Sequence, residues 1–270
     1  MEGEPKHFDV FGTKHIEAGA IKQMELVMRL PVAERGALMP DAHQGYGLPI
    51  GGVLATRNVI IPYGVGMDIG CRMALSILDA PGSYVEHRAY EIKRALQEVT
   101  HFGNEGGLDD RPDHAVLDHP HFKLPELLRK LHGKAMRQLG SSGSGNHFVE
   151  LGMLDVDEGN TLGVQPGSYA AILSHSGSRS LGANIAQRYT DIAMNVCRLP
   201  REAKHLAWLD LDSEAGEEYW MSMSLAGEYA KACHDAIHAN VCRALGVEVI
   251  WKIENHHNFA WNEQSSLLKK

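Results

Sequence analysis

The sequence lacks the features that place a chain in or across a membrane. No apolar run approaches the roughly 18 residues that a transmembrane helix requires, and the first residues, Met1–Pro5, contain no apolar signal core. The cysteines form no CxxC pair and no spacing typical of a disulfide framework. Because disulfides are rare in reducing compartments, these absences together predict a cytoplasmic protein. Three cysteines in helical-looking segments are interpreted as buried apolar residues: Cys197, Cys233 and Cys242.

The sequence also lacks an excess of basic residues. Its formal net charge is -8 over 270 residues, which argues against a broad basic surface for coating nucleic acid but leaves room for a local basic groove. Hydrophobic residues make up 44% and charged residues 22%, proportions typical of globular proteins. A chain of this length can bury a full core, either in one large domain or in two small ones.

No internal repeat or long low-complexity linker is present, and the apolar patterns predict both strands and helices. Because they follow one another without a regular βαβ alternation, an α+β fold is favoured over a doubly wound α/β fold. A polar segment, residues 103–121, is predicted to be a loop. The two histidines of the last predicted helix, His234 and His238, are interpreted as surface or core residues. The predicted strands are 48–61, 72–79, 147–153, 169–174 and 247–253, and the predicted helices are 84–99, 125–139, 181–198 and 213–245.

One carboxylate, one thiol and several imidazoles lie in separate loops rich in glycine, serine and asparagine. Asp68 and Cys71 stand three residues apart in the glycine-bearing turn Gly64–Cys71. A thiolate can bridge two metal ions while imidazoles and a carboxylate fill the other positions, so the pattern is typical of a two-metal site. The alternatives are that the glycines only form a tight turn and that Cys71 is a plain buried cysteine. The histidines concerned are His147, His175, His256 and His257.

Three further polar segments allow both a functional and a structural interpretation. Asp41 and His43 lie in the segment Pro40–Gly47, which is predicted to be a polar loop between apolar segments. They fit an acid–base or metal-supporting role or a turn-forming pair. The Ser141–Gly145 run fits a phosphate-binding nest as well as a flexible linker. The guanidinium of Arg179 is suited to bidentate phosphate contact, and the alternative is a surface ion pair.

Taken together, these motifs resemble the tRNA-splicing ligase RtcB family. Members of that family are GTP- and Mn²⁺-dependent ligases that join RNA 3′-phosphate or 2′,3′-cyclic phosphate ends to 5′-hydroxyl ends. Each motif is weak alone, but five in family order along nearly the whole chain are highly specific. They are Met39–Gly47 with Pro49–Gly52, Gly64–Cys71, Gly145–Glu150, His175–Arg179 and His256–Asn258.

The resemblance implies a single RtcB-like domain over residues 1–270, with mixed and antiparallel sheets flanked by helices. It implies one Mn²⁺ held by Asp68, Cys71 and His147, and a second held by Cys71, His175 and His257. It also implies that Asp41 and Arg179 act near the RNA ends as catalytic residues. The implied GTP-binding residues are Asn146, His147, Phe148, Val149, Glu150, His257 and Asn258.

The family pattern further contains an HGAGR-like motif whose histidine takes GMP covalently, and no such string occurs within residues 1–270. We therefore expect the chain to be C-terminally truncated, to correspond to the metal-binding N-terminal two-thirds of the family fold, and to be incomplete as a ligase on its own. The implied partners are RNA ends such as tRNA halves, GTP, an archease-like activator and a separate C-terminal half. Two alternatives remain open: a dinuclear-metal phosphodiesterase, which needs no covalent histidine, and a non-catalytic metal-binding half of a split ligase.

Overall fold

A computed structural model describes residues 3–103 and 112–263. Within these ranges helices and strands mix along the chain. The strands are β1 (Asp9–Val10), β2 (Ala33–His43), β3 (Ile50–Thr56), β4 (Val59–Ile60), β5 (Arg72–Pro81), β6 (Phe148–Val156), β7 (Gly167–Ser176), β8 (Leu209–Asp210) and β9 (Val249–His256). The helices are α1 (Ala18–Val27), α2 (Pro62–Val65), α3 (Ser83–His87), α4 (Ala89–Val99), α5 (Glu126–Gln138), α6 (Arg179–Val196) and α7 (Glu214–Leu245).

The chain divides into two compact units. The first contains the described residues of Met1–Met67, Asn184–Met221 and Ala260–Lys270, and the second contains those of Asp68–Ala183 and Ser222–Phe259. Helices α6 and α7 each contribute residues to both units. The single-domain assignment of residues 1–270 stays a prediction.

In the first unit a three-stranded sheet packs against α1. β2 pairs with β1 in parallel and with β3 in antiparallel fashion, and a register shift interrupts the second pairing between Leu38 and His43. Because Ala20, Met24 and Val27 recur at helical spacing, α1 buries all three in the core with Leu38. β4 pairs with β8, so the strand predicted over residues 48–61 is two strands, β3 and β4.

The second unit is built on a four-stranded antiparallel sheet in the order β6-β7-β5-β9. One face packs on a core cluster that includes Leu78, Ile172 and Val241. The expected α+β class, with mixed and antiparallel sheets and helices, is confirmed.

Within residues 103–121 the described part is not all loop, because short 3-10 helices occur at Ala115–Asp118 and Pro120–Lys123. Residues 104–111 of that predicted loop lie outside the described residues. Among the described helices, none combines the length and the apolar character needed to span a membrane.

Candidate metal centre

Strand register brings three candidate ligands to one end of the second unit's sheet. Successive side chains of a strand point to opposite faces, and Arg72 of β5 pairs with Ser176 of β7. Cys71 comes one residue before Arg72, and the backbone N–H of His257 donates to its carbonyl at 3.0 Å. His175, one residue before Ser176, lies on the same face as Cys71. The alternation therefore points Cys71, His175 and His257 to the same side.

Asp68 is fixed at the entrance of β5 by a tight turn. Gly70 has a φ of 73°, a conformation that glycine adopts readily, and the backbone N–H of Cys71 donates to the carbonyl of Asp68 at 3.1 Å. The Asp68 Oδ1 atom accepts from the backbone N–H of Ser178 at 3.1 Å. Gly177 leaves room for this carboxylate, since a Cβ there would lie less than 3.0 Å from it.

Cys71, His175 and His257 form one group of converging donor atoms. The Cys71 Sγ atom lies 3.1 Å from His175 Nε2, and His175 Nε2 lies 3.2 Å from His257 Nε2. All three donor atoms fall within 4.8 Å of one another. Cys71 and His175 are buried, whereas His257 is exposed, so this group opens to solvent on the His257 side.

Asp68, Cys71 and His147 form a second group that shares the sulfur of the first. His147 Nε2 lies 2.9 Å from Asp68 Oδ2 and 3.4 Å from Cys71 Sγ, and the three donor atoms again fall within 4.8 Å of one another. Five side chains from four separate segments thus meet in two groups joined by one thiol.

The electrostatics of the cluster favour a neutral imidazole at His257 and oppose a free thiolate at Cys71. Burial raises the pKa of the Cys71 thiol, and the negative charge of Asp68 raises it further. Although His257 is exposed as a residue, partial desolvation lowers its pKa, and the imidazole of His175 lowers it further. A bound cation would oppose both effects on Cys71 and would release its proton, while His257 is already in the neutral form that binds metals.

The tautomer of His175 follows from a single contact. Its Nδ1 atom lies 3.0 Å from the backbone carbonyl oxygen of Asn146, and a carbonyl can only accept. Nδ1 therefore carries the hydrogen, and Nε2 presents its lone pair to Cys71 and His257. This arrangement, with one ring nitrogen anchored to a carbonyl, is the one that metal-binding histidines commonly show.

The side chains present fit a pair of metal ions. Asp68 Oδ2 is buried and lies 2.9 Å from His147 Nε2, but this contact does not have the geometry of a hydrogen bond. A buried carboxylate oxygen without a hydrogen bond is costly unless a cation balances it. Thiolate, imidazole and carboxylate are ligands of divalent first-row transition metals, and the shared Cys71 lets two ions be neighbours.

Three of the residues expected to bind a nucleotide border this cluster. The carbonyl of Asn146 holds His175, and the ring of Phe148 lies 5.9 Å from the ring of the same histidine. The Asn258 side-chain amide donates to the backbone carbonyl of Asp68 at 3.2 Å. Backbone and side-chain groups of these residues therefore hold the cluster in place.

Two others lie apart from it. Val149 pairs with Ser174, on the opposite face from His175, and packs against the core cluster beneath the sheet. Glu150 points to the same face as Phe148 but is exposed. Of these two, only Glu150 offers its side chain on the ligand face.

Arg179 is buried, not part of a surface ion pair. It is 7% exposed, its Nε atom donates to Ser141 Oγ at 3.1 Å, and its guanidinium also donates to the backbone carbonyl of Gly103. Burial lowers its pKa, against the opposing influence of Cys233, Tyr229 and Asp68. The surface ion pair considered for Arg179 is wrong, because its hydrogen bonds go to neutral groups in the interior.

Asp41 belongs to the first unit. It is exposed near the end of β2, within the stretch where the register with β3 shifts, and its backbone carbonyl lies 2.9 Å from His43 Nδ1. The segment Pro40–Gly47, predicted as a loop, instead begins inside the strand because His43 still pairs with Ile50.

Gly143 and Gly177 leave space for two of the candidate ligands, a role that their motifs did not reveal. A Cβ at Gly143 would lie less than 3.0 Å from the Nδ1 atom of His147, just as one at Gly177 would crowd Asp68. Neither glycine has a positive φ, so the requirement is for space alone. The sequence offers one signal for this requirement: Gly143 lies four residues before His147, and Gly177 lies two residues after His175.

The fold and the cluster define an α+β protein with a candidate dinuclear metal centre. Comparison with known sequences gives the family: residues 23–269 match the family model described as tRNA-splicing ligase RtcB. The chain therefore belongs to the RtcB family, as its motifs predicted.

Curated relatives are similar over most of this chain. The RNA-splicing ligase RtcB of Escherichia coli K12 is 28% identical over 92% of the chain and 65% of its own length. The tRNA-splicing ligase RtcB of Methanococcus maripaludis is 28% identical over 93% of the chain and 62% of its own length. RNA-splicing ligase RtcB homolog 2 of Entamoeba dispar is 28% identical over 80% of the chain and 48% of its own length. The chain thus spans about half to two-thirds of the relatives that it matches.

Proposed function

We propose that this chain carries the metal centre of an RNA ligase that joins 3′-phosphate or 2′,3′-cyclic phosphate ends to 5′-hydroxyl ends with GTP and Mn²⁺. The observation that carries the proposal is the convergence of five donor side chains in two groups that share Cys71 Sγ. The family membership and the names of the relatives, which are RNA- and tRNA-splicing ligases, support the choice of RNA as substrate.

In this proposal Asp68, Cys71 and His147 hold one Mn²⁺, and Cys71, His175 and His257 hold the other. When bound, such ions supply positive charge that orients phosphate groups and stabilises developing negative charge. The protein's own contribution is rigidity: the strand pairing of β5, β7 and β9 fixes the backbone at three ligands, and the Asn146 carbonyl sets the tautomer of His175.

The nucleotide is proposed to bind beside the metals, against the segment Asn146–Glu150 with His257 and Asn258. The contacts of Asn146, Phe148 and Asn258 with the cluster support this position. Val149 can contribute only its backbone, because its side chain packs in the core.

Arg179 and Asp41 are proposed to act on the RNA ends. For Arg179, the support is its proximity to His147, since a Cβ at Gly143 would contact both side chains. For Asp41, the support is its exposure at an irregular strand end, where a carboxylate is free to meet a ligand. An archease-like activator and a separate C-terminal half are proposed as further partners. A cytoplasmic location is proposed because all four cysteines are free thiols.

The proposal is tested by measuring Mn²⁺ stoichiometry and GTP binding on the purified protein. We expect two Mn²⁺ per chain and GTP binding that depends on them. Cys71→Ser should remove both, whereas Cys197→Ser, which changes a half-buried cysteine in neither ligand group, should remove neither.

A ligase assay with RNA bearing 3′-phosphate and 5′-hydroxyl ends, with any partner supplied, completes the test. GTP-dependent joining that Cys71→Ser abolishes is the expected result. Hydrolysis of a 2′,3′-cyclic phosphate with Mn²⁺ but without any need for GTP would contradict the proposal and support a metal-dependent phosphodiesterase.

A further inference from the structure

The face of β7 opposite the metal ligands carries a buried hydrogen-bond chain. Ser174 and Ser176 flank His175 in sequence and point the other way, towards α7. His234 of α7 contacts both: its Nδ1 lies 2.6 Å from Ser174 Oγ and its Nε2 lies 3.1 Å from the backbone carbonyl oxygen of Ser176. The imidazole of His234 is thus hydrogen-bonded to both neighbours of the candidate ligand His175.

The series of hydrogen bonds continues through a second histidine, His238. Ser174 Oγ also lies 2.7 Å from His238 Nε2, and His238 Nδ1 lies 2.7 Å from Ser76 Oγ on β5. Both imidazoles are almost fully buried, His234 at 0% and His238 at 3% exposure. This series of hydrogen bonds therefore connects β7 to β5 through side chains of α7 that are buried from solvent.

Every hydrogen in this chain can be assigned from chemistry. The Ser176 carbonyl only accepts, so His234 Nε2 donates and its Nδ1, in a neutral ring, accepts from the Ser174 hydroxyl. Ser174 has then used its one hydrogen and accepts from His238 Nε2, which leaves His238 Nδ1 to accept from Ser76. Burial lowers the pKa of His234 to about 4 and that of His238 to about 3, in agreement with neutral rings.

The same strand end is tied to the loop that carries the other imidazole ligand. The Ser142 hydroxyl donates to Ser176 Oγ at 3.0 Å, and Ser142 stands five residues before His147. Ser176 is therefore held from two directions, by His234 through its carbonyl and by Ser142 through its hydroxyl.

We infer that His234, acting through Ser174 and Ser176, is a positioning residue that sets the place of the metal ligand His175. The inference rests on the proposed metal site. Because His234 is hydrogen-bonded to the residues on both sides of His175, it limits how far the Nε2 atom of His175 can move relative to Cys71 and His257. Groups that orient a ligand in this way typically change metal affinity by about 10- to 100-fold when removed.

The first experiment compares Ser174→Ala with Ser76→Ala in the full chain. Each removes one fully buried hydroxyl that contacts His238, but only Ser174 flanks His175 and contacts His234. Co²⁺ serves as the probe, because its visible absorption reports the geometry of the thiolate and imidazole ligands. We expect Ser174→Ala to weaken Co²⁺ binding by about 10-fold and to shift the absorption bands, and Ser76→Ala to do neither.

A second pair, His234→Ala and His238→Ala, repeats the comparison with two buried histidines one turn apart on α7. Chemical unfolding of the metal-free proteins measures stability separately. Loss of stability in both variants, with a changed Co²⁺ spectrum only for His234→Ala, supports the inference. Equal spectra in all folded variants, or equal changes for His234→Ala and His238→Ala, would overturn it. If the unmodified chain binds no Co²⁺ or Mn²⁺, the proposed metal site itself has failed, which is a different result.

Discussion

Gly177→Ala should expel the Asp68 carboxylate from the metal centre. A Cβ at position 177 would lie 2.1 Å from Asp68 Oδ2, where ordinary contact begins at 3.4 Å, so the carboxylate must retreat by about 1.3 Å. We expect that movement to disturb the contact of Oδ2 with His147 Nε2 and the hydrogen bond from the Ser178 N–H to Oδ1. Because Asp68 belongs to only one ligand group, one of the two metal ions should be lost and the other retained.

The size of the effect follows from the two interactions that are lost. A hydrogen bond from a backbone N–H to a charged carboxylate contributes about 1.5–3 kcal/mol, so the free energy of unfolding of the metal-free protein should fall by roughly that amount. Loss of a direct ligand should lower affinity at the affected position by at least about 100-fold, the upper end of what supporting residues produce. Equilibrium dialysis with metal analysis measures the stoichiometry, and guanidinium unfolding measures the stability.

Gly152→Ala is the matched control for this substitution. Gly152 lies within β6 of the same unit, its φ is not positive, and a Cβ there meets nothing within 4 Å. It should therefore keep both ions and the original stability. Two Mn²⁺ ions bound by Gly177→Ala with the affinity of the unmodified chain would refute the assignment of Asp68 as a ligand.

Three other perturbations test the centre and its support. Cys71→Ser should weaken both ions together, because one sulfur serves both groups; the loss of a single ion in a metal titration would show that the sulfur does not bridge. Mn²⁺ should bind more weakly at about pH 5 than at about pH 8, since protons compete for the thiolate and imidazoles, and equal affinities by calorimetry would contradict a His/Cys site. The free energy of unfolding should be greatest above pH 6.5 and should fall as the pH drops towards 4, because His234 and His238 take up protons in the unfolded chain but remain neutral in the folded one. The pKa shift of His234 alone corresponds to roughly 3 kcal/mol. A urea midpoint that does not change over this range would show that these rings are not buried and neutral.

The sequence was informative about the fold where a pattern is local. The helix predicted from residue 213 to 245 is α7, Glu214–Leu245, and the strand predicted over residues 72–79 is β5, Arg72–Pro81. The strand predicted over residues 48–61 failed because Asn58 takes a positive φ of 54° and separates β3 from β4. Asparagine tolerates this conformation, so the break has a sequence signal, but one residue outweighs the apolar pattern around it.

The candidate ligands were also accessible from sequence, because each lies at a strand end or in an adjoining loop beside glycine. Their supporting groups were not. His234 and Ser174 are 60 residues apart and meet only because α7 covers one face of the sheet. In the sequence, His234 is one of two histidines in the helix Glu214–Leu245, and nothing local separates it from a surface histidine.

The backbone contacts of Cys71 suit its membership of both ligand groups. Its backbone is held on both sides: its N–H donates to the carbonyl of Asp68, and its carbonyl accepts from the N–H of His257. These two hydrogen bonds tie it to one ligand of each group. Asp68 and His147 depend on loops and on the space left by Gly177 and Gly143, so each of those two ligands can be displaced by one methyl group. The backbone of Cys71 is thus hydrogen-bonded to one ligand of each group, which suits a thiol that bridges two metal ions.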